Sequence, residues 1–132
     1  MSDRPTLSLT AVVLDSADAR ELAAFYVRLL GWPVRSDDPD WVTLTAPDGG
    51  AGLSFQTESD YVRPTWPAQS GDQQMMMHLD IEVDDLEAAA AHAEEAGATL
   101  AEFQPQSHVR VYLDPAGHPF CLYVEDQEAS PG

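Results

Sequence analysis

Residues 78–97 read HLDIEVDDLEAAAAHAEEAG, and the change of period within that stretch decides the fold. Leu79, Ile81 and Val83 share one face of an alternating run while His78, Asp80 and Glu82 share the other, the pattern of a half-buried strand. After Asp84 the alternation gives way to an alanine-rich run with acidic residues at its start and Gly97 at its end. That is a helix whose positive N-terminus meets negative charge and whose C-terminus meets a stop. Downstream, ATLAEF is the next strand, and VRVYLDPAGHPFCLYVE is a hairpin turning at DPAGH.

The first half repeats the order. LSLTAVVL is a strand, and SADARELAAFYVRLLG carries Leu22, Phe25, Tyr26, Leu29 and Leu30 on one helical stripe. Asp18 stands as a capping residue three positions before Glu21, and Gly31 ends the run. Phe25 and Tyr26 are read as core. A short strand near WPVRS precedes WVTLTA and AGLSF, which form a hairpin across PDGG. Strand, helix and three strands therefore occur twice, and such internal repetition outranks any single motif. The expected fold is α+β: two βαβββ modules forming a curved mixed sheet with a concave ligand cavity and the helices on the outer face. The chain is read as a single domain over 1–132, with module one at about 7–57, a linker at about 58–74, module two at about 75–125 and an acidic tail at 126–132. The linker, TESDYVRPTWPAQSGDQQ, is Pro- and Gly-rich and carries Tyr61 and Trp66. These two aromatics either fold over a pocket or pin the crossover to the sheet.

The formal net charge is −17, with six Arg and no Lys, so phosphate backbones and anionic membranes are repelled, and neither nucleic acid nor a membrane is an expected partner. No apolar run is long enough to cross a bilayer, and the amino terminus MSDRPT has no signal-peptide pattern. The single Cys121 cannot form an internal disulfide, which fits a cytoplasmic protein.

Two βαβββ modules, VDDLEAAAAHAEEAGA after a His-led strand, and YLDPAGHPFCLYVE near the end together resemble the vicinal oxygen chelate superfamily of glyoxalases, bleomycin-resistance proteins, fosfomycin-resistance enzymes and extradiol dioxygenases. DPAGHPFCL and RPTWP look most like its glyoxalase-like domain branch, over about Leu7 to Glu125. The resemblance implies fold more than function, because this fold hosts many activities. It also implies that metal-using members take ligands from the first and last strands of each module. His78 matches the first-strand position of module two. The other positions fall near Ala11 or Val12, near Leu53 or Ser54, and at Cys121, where a Glu is usual. Two of the four places hold no metal ligand, so the usual chelate site is expected to be absent, and no metal or cofactor is assigned. An altered site of His78, Asp80 and Cys121 stays open.

Without a metal, the alternating faces direct His78, Asp80, Arg110, Tyr112, Cys121 and Tyr123 into one cavity, with Tyr61 and Trp66 as its cover. Arg110 either orients an anionic or carbonyl-bearing ligand or forms an ordinary ion pair. Met75, Met76 and Met77 supply an adaptable apolar surface or a core filler. Cys121 is a nucleophile only if a base adjoins it; otherwise it is a small core residue. His92 and His118 are read as solvated. The expected function is metal-independent binding of a hydrophobic or aromatic small molecule, such as an antibiotic held for self-resistance, by a homodimer. The alternative is a glyoxalase-like lyase or isomerase acting on a carbonyl compound, with His78 as base and Arg110 or Tyr112 steadying the enolate. No catalytic residue is assigned.

Overall fold

Asp18 opens the first helix by accepting hydrogen bonds from the backbone N–H groups of Arg20 and Glu21, and Gly31 closes it at φ 73°, a left-handed conformation that costs glycine little. The computed structural model describes residues 5–65, 69–102, 104 and 106–124. In chain order they form β1 (Ala11–Ser16), α1 (Ala19–Leu30), β2 (Val34–Asp38), β3 (Trp41–Leu44), β4 (Gly52–Thr57), β5 (Leu79–Glu82), α2 (Leu86–Ala96), β6 (Thr99–Leu100), β7 (Val109–Leu113) and β8 (Pro119–Tyr123). Asp85 caps α2 through the N–H of Ala88, and Gly97 ends it. No helix among the described residues is long and apolar enough to cross a membrane.

The duplication seen in the sequence is a duplication of topology. One sheet has the order β1-β4-β3-β2 and the other β5-β8-β7-β6. In each, the first strand pairs parallel with the last, and the remaining neighbours are antiparallel. The parallel pair follows from the helical crossover, which returns the chain in the same direction, whereas the hairpins reverse it. The resulting α+β architecture of two open, curved sheets with helices on one face is the one read from the repeat.

A shared aromatic core joins the halves. Phe25 and Tyr26 of α1, Phe55 of β4, and Tyr112 and Phe120 of the second sheet are all buried. Tyr26 stacks on Phe55 with ring centroids 5.5 Å apart, and Phe120 lies 5.9 Å from Phe25, 6.4 Å from Tyr26 and 6.0 Å from Tyr112. The helix of module one thus packs on a strand of module two. Truncating Phe120 to Ala removes the ring common to these contacts, and chemical denaturation of the variant is expected to show a loss of about 3–5 kcal/mol.

Two hydrogen bonds fasten phenols within this core. Tyr26 Oη donates to Asp114 Oδ2 at 2.8 Å, and Tyr112 Oη donates to Glu94 Oε2 at 2.7 Å. Burial and the adjoining carboxylates raise both hydroxyl pKa values above the ordinary 10.0. The unfolded chain therefore releases these protons first on alkaline titration. The stabilisation is complete below about pH 10 and is lost as pH rises through the higher folded-state values. A thermal-melt series is expected to be insensitive to these groups below pH 10 and to fall above it, with a smaller alkaline loss in Tyr26→Phe.

Candidate functional site

Because Leu14 and Phe55 pair in register and both enter the core, Val13, Asp15 and Gln56 face away from the helices. Trp41, the antiparallel partner of Gln56, stands beside them. The crossover between the modules runs over this open face, bringing Tyr61, Val62, Pro64 and Met75 to Met77 against it. The space between them is an open-sided cavity of about 640 Å³. Its apolar and aromatic wall is broken by the charged or ionisable Asp15, Glu58, Asp60 and His118 and by the amides of Gln56, Gln73 and Gln74, and among the described residues no Arg lines it.

His118 reaches that wall from the turn of module two, and three of its atoms are fixed. Its backbone N–H donates to Asp114 Oδ1 at 2.9 Å, its Nδ1 lies 2.8 Å from Asp114 Oδ2, and its Nε2 lies 3.3 Å from Tyr61 Oη. Asp114 is 1% exposed and also accepts from the Ala116 N–H and from Tyr26. Placed against a carboxylate, Nδ1 is the nitrogen that carries a proton, which turns Nε2 toward Tyr61 and the cavity. Tyr61 Oη in turn donates to the Ala116 carbonyl at 2.7 Å, and burial together with the Asp114 charge pushes its pKa up to about 12. The expectation that His118 is solvated is thus corrected: its side chain is only 17% exposed. DPAGH reads as a turn from sequence. The signal that was available is the four-residue spacing of Asp114 and His118, which lets an Asp side chain fold back on the turn.

A second cluster lies on module two. Parallel pairing sets Asp80 opposite Cys121, and His78 precedes Asp80 by the two residues that return a side chain to the same face. Nitrogen, oxygen and sulfur atoms of His78, Asp80 and Cys121 all lie within 4.8 Å of one another, and His78 Nε2 is 3.2 Å from Asp80 Oδ1. Burial, and then the charge and hydrogen bond of Asp80, push the Cys121 thiol pKa up. That opposes formation of a nucleophilic thiolate, because a neighbouring carboxylate disfavours a second negative charge.

The metal implied by the superfamily resemblance can be tested against these donors. The inward register pairs of module one are Ala11 with Gly52, Val13 with Ser54, and Asp15 with Gln56. The only carboxylate there, Asp15, is engaged by Gln56 Nε2 at 3.3 Å. A four-position site spanning both modules does not fit this chain. The His, Asp and Cys of module two, taken alone, do form a donor set that zinc accepts.

The structure separates the remaining sequence-predicted residues. Arg110 pairs with Leu122 and Tyr112 with Phe120, which turns both to the helix face instead of the cavity. Arg110 Nη2 meets Glu87 Oε2 of α2 at 3.2 Å, and Tyr112 is core. Their places on the open face are taken by Val109 and Val111, which pack with Cys121 and Tyr123. Tyr61 lines the cavity, whereas His78, Asp80, Cys121 and Tyr123 do not. Trp66 lies outside the described residues. Trp41, Val13 and Gln56, wall residues that no sequence motif marks, belong to module one, whose strands carry no metal ligand at the positions the resemblance implies.

Residues 11–123 match the family model for the glyoxalase-like domain. No curated protein matches the chain significantly. A glyoxalase/bleomycin resistance protein/dioxygenase family enzyme from Burkholderia phytofirmans PsJN superposes with a TM-score of 0.66 at 22% identity, over 89% of this chain and 98% of that one. A glyoxalase-related enzyme from Fulvimarina pelagi gives 0.67 at 17% identity, over 91% of this chain and 89% of that one. Lactoylglutathione lyase from Agrobacterium tumefaciens gives 0.60 at 14%, over 92% and 96%. At these identities the superpositions speak to fold, and with a family match spanning all ten structural elements the conclusion is that the chain belongs to the glyoxalase-like domain family of the vicinal oxygen chelate fold.

Proposed function

We propose that this protein binds a hydrophobic or aromatic small molecule in the cavity between the open face of module one and the crossover. The observation that carries the reading is the cavity itself. A volume of about 640 Å³ bounded by Trp41, Tyr61 and the methionines of residues 75–77 suits a drug-sized ligand. Aromatic rings supply stacking area with little rotamer entropy to lose, and the methionines adapt to its outline. Asp15, Glu58 and Asp60 make a neutral or cationic ligand a better match than an anion. Sequestration of an antibiotic within the cell suits this chemistry, and the bleomycin-resistance wording in the name of the Burkholderia relative points the same way. Binding there needs no metal, because His78, Asp80 and Cys121 lie off the cavity wall. Phosphate-rich partners, nucleic acid and anionic membranes, do not suit a chain of net charge −17. A homodimer completes the reading, since each sheet ends in edge strands that a second copy can cover.

Trp41 makes the reading measurable. A panel of antibiotics and aromatic metabolites is expected to contain a ligand that quenches tryptophan fluorescence saturably, in chelated protein as in untreated protein. Trp41→Ala is expected to weaken that ligand about ten-fold or more. A panel without a saturable ligand counts against binding as the function.

A second reading, a lyase or isomerase acting on a carbonyl compound, draws on one observation: His118, backed by buried Asp114, presents Nε2 to the cavity beside Tyr61. In that reading the base is His118 rather than His78, and Arg110 and Tyr112 take no part. His118→Asn keeps an N–H for Asp114 but removes Nε2. Under the enzyme reading it abolishes turnover of a carbonyl substrate that still binds, whereas under the binding reading wild-type protein shows no turnover and the substitution changes affinity alone.

A further inference from the structure

His78, Asp80 and Cys121 are the one group of three or more His, Cys, Asp or Glu side chains among the described residues whose donor atoms gather closely enough to share an ion. Backbone geometry places them. Alternation along the start of β5 returns Asp80 to the side of His78, and the parallel register sets Cys121 directly across from Asp80 on β8. Three donors thus come from two hydrogen-bonded neighbours, on a frame that includes no loop apart from the residue leading into β5.

Distance and donor chemistry favour a particular ion. Zinc bonds nitrogen and oxygen at about 2.0–2.2 Å and sulfur at about 2.3 Å, so tetrahedral donors stand roughly 3.5 Å apart. The present atoms all lie within 4.8 Å of one another, and His78 Nε2 and Asp80 Oδ1 already stand 3.2 Å apart. Sulfur disfavours magnesium and calcium, which ask for oxygen shells, while one imidazole, one carboxylate and one thiolate form a mixed set that zinc accepts. A cysteine-nucleophile explanation of the same cluster is the poorer match, since burial and the Asp80 carboxylate raise the thiol pKa and so oppose a free thiolate, whereas a bound cation would offset that negative charge.

We propose that His78, Asp80 and Cys121 form a mononuclear zinc site held entirely by module two, with the fourth coordination position open to water or an exogenous ligand. It differs from the arrangement implied by the superfamily resemblance, which draws ligands from both modules: here module one contributes nothing, and Asp80 on the His-bearing strand supplies the third donor. The site is independent of the cavity reading, because none of its ligands lines the cavity.

The test uses the full chain, purified reduced and without a tag, stripped by a chelator and titrated with cobalt(II) and then zinc. One equivalent of cobalt is expected to give the near-ultraviolet thiolate-to-cobalt charge-transfer band together with the strong visible bands of tetrahedral cobalt, and one equivalent of zinc is expected to bleach them. Cys121→Ser is expected to abolish the charge-transfer band. His78→Ala and Asp80→Asn are each expected to weaken zinc at least about ten-fold, while His92→Ala binds as the parent does. Zinc is expected to raise the melting temperature of the parent and of His92→Ala more than that of any variant at the three ligands, and circular dichroism of each apo variant separates lost ligands from lost folding. Absence of a charge-transfer band, a band that survives Cys121→Ser, or zinc affinity unchanged in both His78→Ala and Asp80→Asn overturns the proposal.

Discussion

The carboxylate of Asp114 is the group on which the two halves of this molecule depend. It is buried, and burial of a carboxylate is tolerable only with several donors. Those donors come from both modules: Tyr26 from α1, and the backbone and imidazole of the turn between β7 and β8. Satisfying one buried charge therefore fixes the docking of the first helix on the second sheet. It also fixes the shape of the turn and the direction in which His118 enters the cavity. The aromatic cluster around Phe120 supplies the apolar area of the same contact, while Asp114 supplies its orientation, since a hydrogen-bond network has one good geometry where greasy surfaces have many.

Chemistry is divided between the modules in a way that the repeat does not foreshadow. Module one contributes an open face with Val13, Trp41 and Gln56, which has volume and few donors. Module two contributes His78, Asp80 and Cys121, which has donors and a packed apolar surround at Val109 and Val111. Duplicated topology thus frames two unlike surfaces. The same parallel pairing of first and last strands brings Val13, Asp15 and Gln56 to the cavity in one copy and gathers His78, Asp80 and Cys121 in the other.

Local features of the fold were legible from sequence. The stripe of α1, its Asp18 cap and its Gly31 stop are set within one or two turns of chain, and Phe25 and Tyr26 are core as their spacing implies. The grouping of His78, Asp80 and Cys121 was legible too, because a βαβββ unit pairs its first strand with its last. The facing of β7 was not. Val109 and Val111 are apolar and Tyr112 is large and partly apolar, so both faces of that strand carry material for a core and alternation alone does not choose between them. The register with β8 chooses, and it sends Arg110 and Tyr112 to the helices. His118 was hidden for another reason: the ring beside it is Tyr61, 57 positions away, and the Asp114 that holds it is itself held by Tyr26, 88 positions from that Asp, which no local pattern encodes.

The crossover is held at more than its ends. Tyr61 Oη is tied to the Ala116 carbonyl, Arg63 Nη1 donates to the Pro115 carbonyl at 2.9 Å, and the Thr65 N–H donates to the Gln73 carbonyl at 2.8 Å. A wall fastened in this way has already given up most of its freedom before any guest arrives. The entropic cost of ordering it then falls on folding instead of association. For a protein that binds as proposed, guests of similar shape would enter at similar rates, and their lifetimes in the cavity would carry the selectivity.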